Sequence, residues 1–123
     1  MTGWKGPAEH AEWMREFEER QQRGHVQMVR NHRARDLERA GYVDEAAELY
    51  EANVAEHFRG SRPYVRLATI YRKANDPWNE QRVLALATSL QSAGLLHHPK
   101  SGEFESQLQR SIAKHGRHWT PQP

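Results

Sequence analysis

The stretch Ala34–Val54, ARDLERAGYVDEAAELYEANV, decides the fold. Ala34, Leu37 and Ala40 recur at helical spacing, Gly41 interrupts, and a second helical pattern begins at Val43 with Asp44 and Glu45 in a first turn where carboxylates suit the helix dipole. That second pattern turns Val43, Ala46, Ala47, Leu49, Tyr50 and Val54 inward, and Asp44, Glu45, Glu48 and Glu51 outward. The stretch therefore reads as two helices joined by a glycine turn.

Working outward, the first helix extends back to about Pro7, an acceptable first-turn proline, and forward to about Ala40, unless Gly24 breaks it in two. Its apolar positions are uneven: Trp13, Met14 and Phe17 come early, a polar stretch follows, then Val26, Val29, Ala34, Leu37 and Ala40. Towards the C-terminus the second helix runs to about Phe58 and Gly60 closes it. Ser61 is placed to cap a third helix over about Arg62–Ala74 that buries Tyr64, Leu67, Ala68, Ile70 and Tyr71. Asp76-Pro77 opens a fourth helix through Val83, Leu84, Leu86, Ala87 and Leu90 to Gly94. Ser101 caps a short fifth helix in which Phe104, Leu108 and Ile112 recur every four residues, ended by Gly116, and Arg117–Pro123 reads as a loose tail. Period-two alternation is nearly absent, so the expected class is all-α.

Shifted against itself by 34 residues, the chain aligns Ala34 with Ala68, Leu37 with Tyr71, Arg39 with Lys73, Ala40 with Ala74, Leu49 with Val83 and Tyr50 with Leu84, without a gap. With this period and its A-x-x-L-x-x-A-G-x-x-x-E-A-x-x-x-Y texture, Ala34–Val54 resembles the tetratricopeptide repeat (TPR) family. A second unit, YVRLATIYRKANDPWNEQRVLALA (64–87), resembles it through Tyr64, Leu67, Ala68, Tyr71 and Ala87. Small residues at the crossings of paired helices let backbones approach, and large ones fill the groove between units. The likeness covers about 27–93 and has departures: Arg30 and Arg33 stand where the family usually has an aromatic and a leucine, Asn75 replaces the turn glycine, and Glu80 takes a small-residue position. A further shift of 34 meets Gly102, Glu105 and Gln109, so no third unit follows. The expected organisation is one helical domain over 1–123, with an N-terminal extension (1–26), two TPR-like units (27–93) and a C-terminal capping helix (101–116).

The resemblance implies peptide recognition on the inner surface, lined by the first helix of each unit. The positions exposed there are Met28, Asn31, Arg35 and Arg39 from the first unit and Arg62, Arg66, Thr69, Arg72 and Lys73 from the second. Arginines on adjacent rigid helices can grip carboxylates bidentately, which points to an acidic peptide or protein surface as partner. Asn31, Arg62 and Arg66 sit where carboxylate-gripping members of the family carry their polar clamp, although Arg35 stands where those members usually have asparagine. The alternative is a solvated basic face that pairs internally with the acidic second helix.

Composition narrows the rest. The 123 residues fit one domain, and 37% hydrophobic against 28% charged residues gives a small core under a large polar surface. Net charge is only +2, but residues 41–60 hold five acidic and one basic side chain while 61–82 hold two and five. No window spans a bilayer, and MTGWKGPAEH lacks the apolar core of a signal peptide, so the expectation is a cytoplasmic protein with no membrane partner. Without cysteine there is no thiol nucleophile or thiolate zinc site, and His97-His98 and His115-x-x-His118 have no carboxylate nearby in sequence to complete a metal set. No phosphate loop, nucleophile elbow or paired acids are present, so neither catalysis nor a cofactor is expected. Trp4, Trp13, Met14 and Phe17 either fold back as a cap or form a second contact surface, with a homodimer through the N-terminal helix as one outcome. Arg110, Lys114, His115, Arg117 and His118 with Trp119 make nucleic acid a second, weaker candidate partner, and a helical subunit of a larger assembly is a third reading.

Overall fold

The computed structural model describes residues 6–121. These form five helices and no strand: α1 (Pro7–Arg39), α2 (Val43–Ala55), α3 (Arg62–Lys73), α4 (Pro77–Ser92) and α5 (Glu103–His115). The class is all-α. Packing is sequential, each helix lying chiefly against the next in the chain. A single isolated bridge, Gly60 to His97, ties the two long connections together, with the His97 amide donating to the Arg59 carbonyl at 2.9 Å.

The turns carry the regularity. α1 ends with Gly41 at φ 92°, where the Gly41 amide donates to Glu38 O (3.1 Å) and the Tyr42 amide to Leu37 O (2.8 Å). α3 ends the same way, 34 residues on: Asn75 has φ 56°, its amide donates to Arg72 O (3.1 Å), and the Asp76 amide donates to Tyr71 O (2.9 Å). Both are Schellman turns with one left-handed residue, and asparagine is among the few side-chain-bearing residues that tolerate that conformation. The replacement of glycine at Asn75 is thus accommodated. α2 closes on His57 (φ 54°), three residues before the glycine expected to stop it, because the Phe58 amide has already turned back to Asn53 O at 3.0 Å.

Starts follow local chemistry in one case and depart from it in two. The Asp76 carboxylate accepts from the Asn79 amide at 3.2 Å, with Pro77 in the first turn. Ser61 precedes α3 but its hydroxyl makes no capping bond, since its backbone is already helical. α5 begins one residue later than a Ser101 cap requires, at Glu103 behind a left-handed Gly102.

The core is a row of Ala34, Ala46, Tyr50, Val54, Tyr64, Leu67, Ala68, Val83, Leu84, Ala87 and Leu90, extended by Leu96 and Phe104. Ala34 and Ala68 occupy matching places in α1 and α3, where only a methyl group fits between neighbouring backbones. Phe104 closes the far end, edge-on to Tyr64 with ring centroids 6.4 Å apart. Burial pushes the Tyr64 phenol up to about 12, and its hydroxyl donates to Phe58 O at 2.9 Å.

Two features differ from the expectation. α1 is unbroken through Gly24, giving a helix about 50 Å long at 1.5 Å per residue. From Pro7 to Val26 none of its side chains is buried, and Trp13 and Phe17 stack on each other at 5.4 Å between centroids while each stays nearly 40% exposed. Trp4 lies outside the described residues. The second difference is the tail, whose first residues are held down: buried Gln81 donates to Gly116 O (2.9 Å) and accepts from the amides of His118 (2.8 Å) and Trp119 (3.3 Å). Backbone polar groups near a core need such partners.

Two outcomes test this account. Gly41→Ala forces a methyl group into a left-handed residue and is expected to lower unfolding free energy by ~1 kcal/mol in urea titration. At Gly24 an added Cβ meets nothing within 4 Å, so Gly24→Ala is expected to slow amide exchange across the exposed part of α1 by up to about fivefold. Gln81→Leu should leave α4 and α5 in place yet remove exchange protection at the His118 and Trp119 amides.

Candidate functional site: a basic groove between α1 and α3

The site is built around Glu38, on the last full turn of α1. Its carboxylate accepts the Tyr50 hydroxyl of α2 at 3.1 Å and both the Nε and the terminal nitrogen of Arg66 from α3, with the Nε bonds at 3.1 Å. Burial opposes ionisation of Glu38. The hydrogen bonds and charge of Arg66, the Tyr50 hydroxyl and the nearby charge of Arg62 outweigh it and hold the carboxyl below its ordinary value. The same burial, with the Glu38 charge, raises the Tyr50 phenol. One carboxylate thus fastens three helices.

Around this pair lies a cavity of about 260 Å³ lined by Arg35, Glu38, Arg39, Arg62 and Arg66. A second cavity of about 220 Å³, lined by Met28, Asn31, His32, Arg35 and Arg62, shares two of those arginines. Four guanidinium groups therefore meet one carboxylate, and Arg66 already holds it. Arg39 and Arg62 make no hydrogen bond or ion pair among the described residues. Arg35 contacts only the His32 ring, at 3.4 Å, and its Nε is buried without an acceptor. A buried guanidinium N–H with no partner is costly in water-excluded surroundings and is satisfied by any anionic oxygen placed against it.

The other residues expected on this face have different occupations. Asn31 lines the second cavity, but its side-chain oxygen accepts from Asn53 Nδ2 at 2.8 Å. Asn53, wholly buried, also donates to Gln27 O (2.9 Å) and accepts from Arg30 (3.1 Å), while Arg30 pairs with Glu56 at 2.8 Å. Arg30, a departure from the family pattern, is thus one of the clips between α1 and α2. The Thr69 hydroxyl donates to Val65 O at 3.0 Å within its own helix. Arg72 faces a separate cavity with Glu80, Gln107, Arg110, Ser111, Lys114 and His115, and Lys73 is exposed in the last turn of α3. Glu80, at the position where a small residue was expected, is buried and accepts from the Ser111 hydroxyl at 3.1 Å.

A second tie parallels the first. Glu51 of α2 accepts the Tyr71 hydroxyl of α3 at 2.5 Å and pairs with Arg82 of α4, whose guanidinium also lies 5.8 Å from the Trp78 ring centre. Burial, followed by the Glu51 bond and charge, raises the Tyr71 phenol well above its ordinary value. Glu38 links α1 to α3 and Glu51 links α2 to α4, each with a tyrosine from the helix between.

In the C-terminal basic group, Arg110 stands 3.7 Å from Glu103 and the His118 ring contacts the His115 carbonyl oxygen at 2.9 Å. Among the described residues no three His, Cys, Asp or Glu side chains gather as a metal site, and no helix is long and apolar enough to cross a membrane. Compared with models of known protein families, with curated proteins and with solved structures, the chain matches none.

Glu38→Gln tests the central tie. Because the folded carboxyl is held below its unfolded value near 4.5, the ionised form contributes stability that is complete above that pH and is lost as pH falls through the folded value. Wild type is expected to exceed Glu38→Gln by about 2 kcal/mol at pH 7, and the gap should narrow steadily below pH ~4.5, read by urea unfolding at both ends of the window.

Proposed function

We propose that the chain is a TPR-like adaptor or regulator without catalytic activity, and that it captures an acidic protein segment in the groove between α1 and α3. The repeat reading is supported by the matching turns at Gly41 and Asn75, 34 residues apart, and by helices that pack in chain order. A cytoplasmic setting belongs to the same reading. The observation that carries the ligand assignment is Arg35, whose buried Nε has no acceptor, beside Arg39 and Arg62, which have no carboxylate of their own. Cationic side chains on two rigid helices are already positioned, so a carboxylate-bearing segment binds without first ordering them.

Roles within the groove divide. Arg35, Arg39 and Arg62 are the groups that meet the partner, whereas Arg66 holds Glu38 and sets the spacing of α1 from α3. Met28 supplies an apolar floor for a side chain of the incoming segment.

The test uses a labelled Glu-rich peptide and a Lys-rich peptide of the same length against the purified full chain. The acidic probe alone is expected to bind, with affinity falling steeply as salt is raised. Arg35→Glu/Arg62→Glu should weaken it by at least about tenfold, and Lys114→Glu, remote from the groove, should change it little. Equal binding of both probes, or binding indifferent to the double substitution, would remove this reading.

A further inference from the structure

The exposed part of α1 continues the wall of the groove. Eighteen residues make five whole turns of an α-helix, so positions eighteen apart share a face. His10, Trp13, Met14 and Phe17 stand five turns before Met28, Asn31, His32 and Arg35, and those four line the second cavity. One seam therefore runs the length of α1, aromatic at its N-terminal end and polar to basic at its C-terminal end. Gly24 sits on this seam between the two halves, inside an unbroken helix, and its missing side chain leaves open space on which nothing within the chain packs. A glycine is a poor choice for an exposed helix interior, and it is a good one where another helix must approach closely.

The flank of the seam is as ordered as its centre. Glu9, Glu12 and Glu16 stand five turns before Gln27, Arg30 and Ala34, which face α2. In the body of the protein that flank meets α2 and α3; in the exposed part it is a row of carboxylates. The chain thus carries an aromatic and acidic helix at one end of α1 and a basic groove at the other.

We propose that the occupant of the groove is the N-terminal part of α1 from a second copy of this chain, in an antiparallel two-fold pairing that crosses at Gly24. This rests on the assignment of the groove to acidic segments and names the segment. A two-fold axis at Gly24 sets positions equally far before and after it opposite one another: Phe17 comes over Asn31, Trp13 over Arg35 and Glu9 over Arg39. Trp13 offers its ring face to the guanidinium of Arg35. The operation also keeps each flank on its own side, so Glu12 and Glu16 arrive beside α3, where Arg62 stands. Both copies make the same contacts, and the pairing closes at two chains. The exposed aromatic pair and the unmatched arginines are then two halves of one contact.

Sedimentation equilibrium of the full chain over micromolar to sub-millimolar concentration tests this, with helix content checked by circular dichroism. Wild type is expected to dimerise, more weakly at high salt. Glu12→Arg/Glu16→Arg and Arg35→Glu/Arg62→Glu should each raise the dimer dissociation constant by at least about tenfold, because each sets like charges against one another. An equimolar mixture of the two should restore wild-type strength, since every arm in the heterodimer then faces a groove of opposite sign. Gly24→Glu should raise helix content and abolish the dimer, as it places two carboxylates on the axis. A monomeric wild type overturns the pairing, and so do a dimer indifferent to these charges and a mixture that stays monomeric. Binding of the labelled Glu-rich peptide is read in parallel on the Gly24→Glu chain, which retains the groove, so loss of the dimer and loss of acid binding are separate results. Competition by that peptide is expected to dissociate the wild-type dimer; a dimer that persists with the peptide bound overturns the shared groove.

Discussion

The carboxylate of Glu38 is the constraint on which the rest depends. Sequential packing alone would leave α1 and α3 related only through α2. Glu38 reaches across to Arg66 and takes the hydroxyl of Tyr50 on the way, which fixes the distance between the first and third helices. A partly buried charge of this kind is retained at a desolvation cost that its hydrogen bonds must offset, and here three donors do so. Having one acid among four arginines also decides the electrostatics. Arg66 consumes the only negative charge in the cavity, and Arg35, Arg39 and Arg62 are left as a fixed excess. The same interaction that stiffens the groove makes it basic.

The second tie, Glu51 with Tyr71 and Arg82, repeats this arrangement one helix further along, between α2 and α4. Two interlocked links of this sort make the four helices a stack that resists shear, although the apolar core between them is thin. α5 and the pinned residues 116–119 cover the far end through a buried polar set of Gln81, Glu80 and Ser111. At that end hydrogen bonding supplements the apolar contacts of Phe104 and Leu108.

What could be read from the chain alone was whatever local pattern dictates. Alanines at crossings, the Gly41 and Asn75 turns and the Asp76-Pro77 start are written within a few residues of where they act, and the five helices follow from them. Misreadings arise where a residue's partner is far along the chain. Asn31 and Arg66 read as free ligand groups, because nothing near them in sequence reveals Asn53, 22 residues away, or Glu38, 28 residues away. Asn53, Glu80 and Gln81 read as surface residues for the same reason: a polar side chain on a helix carries no local mark of burial. Arg35 and Arg62 were legible as candidates, but only the position of Glu38 shows why they, and not Arg66, remain unmatched. The loose tail was a misreading of the same type, corrected by one glutamine 35 residues upstream.

The continuity of α1 through Gly24 has a consequence for how this chain can vary. Because exposed part and body share a single helix, their faces are locked in phase, and inserting or deleting one residue between them would turn one against the other by about 100°. A gain or loss of whole turns would preserve the phase and change only the reach. The connections at 56–61 and 93–102 carry no such restriction beyond the His97 tie. Length changes in descendants of this sequence should therefore gather in those two connections and avoid residues 18–26, where the helix serves as a ruler as well as a rod.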